Sequence, residues 1–229
     1  MFDGWRDALP DSRKYLPAAR DYLAASLWRR LGLRINETVM LDVADWHPEL
    51  GPHGKLHVRH GKGSRGRGAK VRIVPAIDDV DALLEWWLTD VRHQFGDDYD
   101  DPAAPLLPSE RRDRLSGHCT RLGTEALRTG LADAVERWLP DWSRRLTPHV
   151  LRHYCASHLY QQGMTLKAIQ ELMGIVRVFR PGAGCKMHPH IDRQAAGFPR
   201  LTGAAERAAC SFQPGAPPAR PAARQARTG

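Results

Sequence analysis

The feature that most limits how this chain can fold is an abrupt change of composition after Gly174. From Ile175 to Gly229, 25 of 55 residues are Ala, Pro or Gly, and no helical or strand periodicity is sustained. Such a segment buries too little apolar surface to offset the entropy lost on ordering its backbone. We therefore expect residues 175–229 to form a disordered basic tail and the folded part to end at Gly174.

The net charge of +8 is concentrated in the same tail. Residues 175–229 carry nine Lys and Arg against two acids, which leaves 25 basic and 24 acidic side chains in residues 1–174. Bulk charge therefore does not predict that the folded part binds nucleic acid, and local basic clusters have to carry that argument.

The sequence predicts a cytoplasmic protein with no membrane contact. It has no run of eighteen apolar residues, and its first residues lack the order of a signal peptide. Its four cysteines are irregularly spaced, which favours reduced thiols over a disulfide framework.

Apolar residues recur at helical spacing in six segments of the folded part. These segments are 16–30, 34–42, 78–95, 124–139, 149–162 and 166–173. Thr124, Thr147 and Thr165 stand where helix caps are expected, and Asp78 and Asp79 are expected to open the third helix. The acidic, proline-rich stretch 97–108 indicates a surface loop, and residues 1–15 are expected to be a lead-in to a domain spanning 16–174.

Two segments follow strand periodicity instead. Lys55–Arg59 and Ala69–Pro75 alternate apolar and polar residues, and the glycine-rich basic turn 60–68 separates them. This pattern predicts a β-hairpin with a cationic tip. The fold class is therefore expected to be mainly α with one small antiparallel β-sheet (α+β), without internal repeats.

Four basic side chains lie in structured contexts: Arg34, Lys62, His149 and Arg152. Each has an ordinary structural explanation when taken alone, such as a local ion pair, a solvated turn or a hydrogen-bonded histidine. Together they suit the stabilisation of a phosphodiester as its phosphorus becomes five-coordinate, because guanidinium groups pair bidentately with non-bridging oxygens. A lysine on a turn can protonate the leaving 5′ oxygen, and a histidine can assist proton transfer. This chemistry requires no metal or other cofactor.

The motifs that hold these residues resemble, in order and spacing, those of tyrosine recombinases of the phage-integrase type. They are Gly32–Glu37 (GLRINE), Gly61–Gly63 (GKG) with Arg72–Pro75 (RIVP), Thr147–His153 (TPHVLRH) and Ile169–Gly174 (IQELMG). The resemblance covers about residues 16–174 and implies the tyrosine-recombinase catalytic-domain fold.

The resemblance also implies a role for each residue. Arg34 and Arg152 correspond to the two catalytic arginines, Glu37 to the acid that supports the first, Lys62 to the general acid and His149 to the histidine of the His-x-x-Arg motif. In the family a tyrosine attacks the phosphorus and forms a phosphotyrosine link to DNA, so that strands are broken and rejoined without ATP. The implied partners are double-stranded DNA and further recombinase protomers assembled on it, at the bacterial nucleoid.

The chain departs from the family pattern at the nucleophile. The family places a histidine directly after Leu-Met-Gly and the attacking tyrosine about thirty residues beyond the second arginine. This chain has Ile175 at the first position and no tyrosine after Tyr160. We expect Tyr154 and Tyr160 to belong to helix packing. Family members also usually carry a further N-terminal helical domain, so the short segment before residue 16 is expected to weaken the grip on DNA.

Two other functional classes stay open at this stage. The chain could be a non-catalytic DNA-binding module, or a product frameshifted near codon 175, since an out-of-frame GC-rich gene yields a tail rich in Ala, Pro, Gly and Arg. Metal sites were also weighed and set aside. His149 and His153 have zinc-helix spacing but Val150 where a metalloprotease needs Glu, and the remaining candidates lie in the tail without a paired motif: Cys185, His188, His190 and Cys210.

Overall fold

The computed structural model describes residues 1–61, 70–96 and 98–175. Its helices are α1 (Phe2–Asp7), α2 (Tyr15–Arg30), α3 (Ile35–Val39), α4 (Val80–Trp86), α5 (Thr124–Trp138), α6 (Pro148–Gln161) and α7 (Leu166–Met173). Its strands are β1 (Trp46–His47), β2 (Lys55–Gly61), β3 (Lys70–Pro75), β4 (Pro108–Arg112) and β5 (Cys119–Arg121). The predicted mainly helical fold with small antiparallel sheet structure is confirmed. Lys62 and nearly all of the predicted disordered tail lie outside the described residues.

Helix α2 is the centre of the helical core. Residues on almost all of its faces are buried, including Leu23, Leu27 and Trp28 with no exposed surface. A helix that is buried on almost every face has to be covered by several neighbours, and α2 packs against α1, α4, α5 and α6. The indole nitrogen of Trp28 donates to the Thr38 hydroxyl at 2.9 Å, which ties the core to α3.

The helix boundaries mostly follow the sequence signals. Thr147 caps α6 by accepting a hydrogen bond from the Val150 amide, and Thr165 caps α7 by accepting one from the Ala168 amide, as predicted. The predicted cap at Thr124 was wrong, because Gly123 is the N-cap of α5 and Thr124 is its first helical residue. The predicted helical segment 78–95 is helical over residues 80–94, but its geometry changes along its length. Asp78 and Asp79 have positive φ angles of 59° and 58° outside α4, which continues as a π-helical turn at Trp87–Val91 and a 3-10 turn at Arg92–Gln94.

Strands β1, β2 and β3 form an antiparallel sheet in that order. Leu56, Val58 and Val74 lie on its buried face, whereas Val71 and Ile73 are 61% and 55% exposed on the other. Side chains alternate between faces along a strand, so the face that buries Val74 also buries the side chain two residues earlier. That side chain is Arg72, which the register places opposite Val58.

A second sheet was not predicted. Strands β4 and β5 form an antiparallel hairpin in which Asp113 Oδ1 accepts bonds from the amides of Leu115 and Ser116 at 2.9 Å each. The described residues therefore contain a second small antiparallel sheet in addition to the predicted one. The sequence of β4, Pro-Ser-Glu-Arg-Arg, carries none of the alternating apolar residues that mark a half-buried strand.

Two other segments are more tightly packed than their composition suggested. The stretch 97–108 was expected to be a surface loop, yet Leu106 and Leu107 are fully buried. The Leu106 carbonyl accepts a bond from the Trp87 indole at 2.9 Å. The expected lead-in 1–15 contains α1, whose Trp5 is buried and packs edge-on against Tyr22 at 5.7 Å.

In the described part of the chain, no helix combines the length and the apolarity needed to cross a lipid bilayer.

Candidate functional site

The last carbonyl groups of α7 are the point at which three arginines meet. Each of three successive carbonyls accepts a hydrogen bond from a different guanidinium: Leu172 O from Arg72 Nε (3.0 Å), Met173 O from Arg152 Nη2, and Gly174 O from Arg34 Nη2 (3.2 Å). Helix-terminal carbonyls have no partner within the helix and carry the negative end of its dipole. The α7 terminus therefore holds three cations from three separate elements in one place.

Arg34 is placed by the start of α3. It is the N-cap residue, and its backbone amide donates to Glu37 Oε2 at 2.8 Å. Its side chain donates from Nη1 to Glu37 Oε1 at 2.7 Å. The Glu37 carboxylate, in the third helical position, thus accepts from both the backbone and the side chain of Arg34 and fixes both. The Arg34 side chain remains 29% exposed, whereas that of Glu37 is 1% exposed.

Arg152 is the buried member of the arginine cluster. Its guanidinium donates to the carbonyls of Gly32 and Met173, and the residue is 6% exposed on α6. Burial, followed by the charge of Arg34, lowers the pKa of Arg152 to about 10, although the Glu37 carboxylate raises it. Arg152 is still a cation at neutral pH. The structure brings together three of the predicted site residues, Arg34, Glu37 and Arg152.

Arg72 is a member of the cluster that sequence reasoning missed. Its Nη1 and Nη2 donate to Glu37 Oε1 and Oε2 at 2.9 and 2.8 Å, a bidentate pair in which Arg72 is only 10% exposed. The signal available was its position in β3, since strand alternation puts residue 72 on the same face as the buried Val74.

Glu37 is ionised although it is buried. Burial raises the pKa of its carboxyl, but the hydrogen bonds and charge of Arg72, followed by the bonds from Arg34, lower the pKa by more. The net result is a pKa below the ordinary 4.5. The cluster formed by Arg34, Arg72, Arg152 and Glu37, hereafter the arginine cluster, thus holds three cations and one anion, a net charge of +2.

His149 lies in the first turn of α6 and is exposed. Its Nε2 is 2.8 Å from Nε2 of His153, with the two rings nearly perpendicular. Burial, followed by the charges of His149 and Arg152, lowers the pKa of His153. One of the two Nε2 atoms therefore donates and the other accepts, so His149 lies beside a mostly neutral histidine.

Lys62 lies outside the described residues, as do the four tail residues weighed as metal ligands. It directly follows β2, the strand paired with β3, which supplies Arg72. Over residues 1–61, 70–96 and 98–175, no group of three or more His, Cys, Asp or Glu is arranged to hold a metal ion.

The two tyrosines of α6 differ in their surroundings. Tyr154 stacks on His158 with the rings 5.7 Å apart and 8° from parallel, and Arg29 lies 5.9 Å from its ring centre. Its predicted packing role is confirmed. Tyr160, for which a role in helix packing was also predicted, is 49% exposed.

The arrangement can bind an anion through oxygen atoms. An excess of positive charge that is mostly shielded from water attracts an anionic group strongly, and guanidinium donors match phosphate and carboxylate oxygens. Arg34 is the most exposed cation of the arginine cluster. It is therefore the group that a ligand would reach first.

The sequence of the chain is similar to those of known proteins. Residues 9–178 match the model of the phage integrase family. Over 194 residues the chain is 30% identical to the tyrosine recombinase XerC of Herpetosiphon aurantiacus. The aligned region covers 82% of this chain and 55% of that protein. The chain thus spans about half the length of this curated relative.

Two solved structures share the fold. The crystal structure of XerA recombinase superposes with a TM-score of 0.56 at 23% identity, covering 77% of this chain and 54% of XerA. The XerH recombinase, in a post-cleavage complex bound to palindromic difH substrate, gives a TM-score of 0.55 at 22% identity, covering 77% of this chain and 45% of XerH.

Proposed function

The chain belongs to the phage integrase family of tyrosine recombinases, and from that premise we propose that it is the DNA-binding catalytic domain of a site-specific recombinase that lacks its nucleophile. The observation that carries the proposal is the convergence of Arg34 and Arg152 on the end of α7. The net charge of +2 on the arginine cluster suits the non-bridging oxygens of one phosphodiester.

Each member of the site has a role in this proposal. Arg34 and Arg152 hold the phosphodiester oxygens, and Glu37 supports Arg34 through the bonds described above. His149 assists proton transfer, and Lys62 protonates the leaving 5′ oxygen. These groups stabilise charge and move protons, so the proposed mechanism includes no metal or other cofactor.

The proposed loss of activity follows from the missing nucleophile. Family chemistry needs a tyrosine Oη to attack the phosphorus and expel the 5′ oxygen, and no tyrosine occurs in residues 161–229. Without the attacking oxygen, the arginine cluster binds DNA but has no covalent step to stabilise. We attribute the loss to an insertion or deletion near codon 175, which reading the gene in all three frames after codon 174 will test.

The proposed partner is double-stranded DNA, together with other recombinase protomers assembled on it. The XerH recombinase, whose structure contains bound difH substrate, supports this assignment by its shared fold. Work on chromosomal DNA would place the protein at the bacterial nucleoid. Every copy of this chain lacks the nucleophile, so exchange of a tyrosine between identical protomers cannot restore cleavage.

A second candidate is a non-catalytic DNA-binding module that keeps the scaffold and has lost the chemistry. The absence of any tyrosine after Tyr160 is the observation that favours it. A frameshifted product with no retained function would not bind DNA at all. Specific binding without a covalent adduct separates these two cases.

The experiment uses DNA that the protein itself selects. Duplexes bound by the 229-residue chain are enriched from a random pool, rebuilt as nicked suicide substrates and incubated with the protein before a denaturing gel. We expect the protein to bind these duplexes but to form no covalent adduct with them. The control is the chain with its reading frame restored after codon 174, which is expected to form one if that frame encodes the tyrosine. An adduct formed by the unaltered chain and lost in Tyr154→Phe or Tyr160→Phe would show that the active site is rearranged.

A further inference from the structure

The carboxylate of Glu37 has all of its acceptor positions occupied. A carboxylate offers about four lone-pair sites, and four donors reach this one. Two come from Arg34, its backbone amide at 2.8 Å and Nη1 at 2.7 Å. The other two come from Arg72, Nη1 at 2.9 Å and Nη2 at 2.8 Å. Each oxygen of the carboxylate is therefore shared between the two arginines.

The two arginines lie at different depths. The Arg72 side chain is 10% exposed and that of Glu37 is 1% exposed, whereas Arg34 is 29% exposed. Arg72 and Glu37 thus form a buried bidentate pair that is neutral overall. Although Arg34 is also hydrogen-bonded to Glu37, these three groups together keep one positive charge in excess, and Arg34 is the cation nearest the surface. Because the pair is buried in a medium of low polarity, the attraction between Arg72 and Glu37 is stronger than it would be in water.

Without Arg72, the same carboxylate would have one cation left. The Arg34 guanidinium is already hydrogen-bonded to Glu37 Oε1. The acceptor position on Oε2 that Arg72 Nη2 occupies would then be open to the same guanidinium. A bidentate pair between Arg34 and Glu37 would use up the donors and the charge that an incoming phosphate needs.

We propose that Arg72 is a positioning residue of the site, which keeps the Arg34 guanidinium available to a DNA phosphate by neutralising and fixing Glu37. This inference rests on the proposed function, because it concerns the same arginine cluster. Arg72 does not itself touch the phosphate, and it acts through Glu37.

Two further contacts hold Arg72 in place for this task. Its Nε donates to the Leu172 carbonyl at 3.0 Å, at the end of α7. A Cβ atom at Gly174 would lie 3.1 Å from Arg72 Nη1, so the glycine leaves room for the guanidinium. Arg72 is thereby fixed by α3 and α7 while it projects from β3.

The test is a double-mutant cycle on DNA binding. The affinity for a fluorescein-labelled DNA duplex is measured by anisotropy for the parent chain, Arg72→Gln, Glu37→Gln and the double variant. We expect Arg72→Gln to weaken binding roughly tenfold, the value of one charged hydrogen-bonded contact. In the Glu37→Gln background the same substitution is expected to change affinity by less than about threefold, because no carboxylate is left to capture Arg34.

The pH profile gives a readout that a merely structural role would not move. In Arg72→Gln, Glu37 loses its main counter-charge, so its pKa rises and the carboxyl becomes protonated at a higher pH than in the parent chain. The variant is therefore expected to regain affinity relative to the parent chain as the pH falls. The double variant, which has no titrating group at residue 37, should show no such recovery.

The matched control is Arg121→Gln. Arg121 also bonds a carboxylate and two backbone carbonyls, those of Asp42, Val39 and Leu41, but it takes no part in the arginine cluster. Equal effects of Arg72→Gln and Arg121→Gln, or equal effects with and without Glu37, overturn the inference. If Arg72→Gln does not fold, the DNA affinity of the double variant is compared with that of Glu37→Gln. An affinity lower by tenfold or more in the double variant would overturn the inference. Failure of the parent chain to bind any duplex would instead refute the proposed function.

Discussion

Arg34 and Arg152, which come from different helical regions of the chain, donate hydrogen bonds to adjacent carbonyls at one helix end, those of Gly174 and Met173. The last residues of α7 therefore act as a template that aligns the two guanidinium groups. Because each arginine satisfies a carbonyl that the helix itself cannot, folding of α7 and assembly of the cationic site stabilise each other.

The template makes the glycine that ends α7 sensitive to substitution. Gly174 has a φ angle of 61°, and a Cβ atom there would press on Arg72. We expect Gly174→Ala to lower the free energy of unfolding by more than the roughly 1 kcal/mol of the left-handed backbone alone, and to weaken DNA binding. Chemical denaturation and anisotropy measure the two effects.

Gly163→Ala is the control for that substitution. Gly163 has a φ angle of 90°, but its Cβ would meet no atom within 4 Å. It should therefore pay the backbone cost and leave DNA affinity unchanged. Similar losses of affinity in both variants would mean that the end of α7 does not organise the arginines.

The buried carboxylate should make stability depend on acid. The pKa of Glu37 is depressed in the folded state, so its stabilisation is present above the ordinary pKa of 4.5 and is lost as the pH falls through the folded value. Glu37→Gln is expected to cost about 3 kcal/mol at neutral pH, because it breaks a buried ion pair. Urea unfolding from neutral to acidic pH should show the two stability curves converging in acid. Parallel curves would show that ionised Glu37 does not cause the dependence of stability on pH.

A second substitution tests how closely α2 and α5 pack. Gly130 lies in the interior of α5, where alanine usually stabilises a helix by about 1 kcal/mol. Here a Cβ would fall against the Asp21 carboxylate, 2.5 Å from its Cγ. We expect Gly130→Ala to destabilise the chain in thermal unfolding.

The same substitution in an Asp21→Ala background provides the control for that clash. With the carboxylate removed, the new methyl group has room and the helix propensity of alanine should dominate. Gly130→Ala is then expected to stabilise the double variant relative to Asp21→Ala. Destabilisation of the same size in both backgrounds would point to some other cause.

The tail should add to DNA affinity through charge alone. Residues 175–229 carry nine Lys and Arg against two acids, and contacts between cations and phosphates release counterions. Deleting this segment should make the affinity for duplex DNA less dependent on salt concentration, while leaving measurable binding at low salt. If the truncated chain binds nothing at low salt, the arginine cluster is not a DNA site.

Much of the fold followed from the sequence because its signals are local. The threonine caps of α6 and α7 and the alternation in β2 and β3 depend on neighbouring residues, and the structure has them where they were predicted. The hairpin of β4 and β5 was missed because its outer residues are charged, and Leu106 and Leu107 were missed because their burial comes from contacts distant in sequence.

The candidate site divides in the same way. Arg34, Glu37 and Arg152 were found through their motifs, and spacing within one helix links the first two. Arg72 was missed because its partners lie on α3 and α7, 35 and 100 residues away along the chain. Only the three-dimensional arrangement shows that a strand residue completes the pairing of Glu37.

The measurement that tests the central claim most directly compares two single-charge variants, Arg34→Gln and Arg128→Gln. Both arginines pair with a glutamate three residues away in the sequence, but Arg128 and Glu125 lie on the exposed surface of α5. Affinity for a DNA duplex is titrated at several salt concentrations for each variant. We predict that Arg34→Gln binds roughly tenfold more weakly, with a salt slope reduced by about one, whereas Arg128→Gln binds like the parent chain. Equal affinities and slopes for the two variants would contradict the assignment of the arginine cluster as the phosphodiester site.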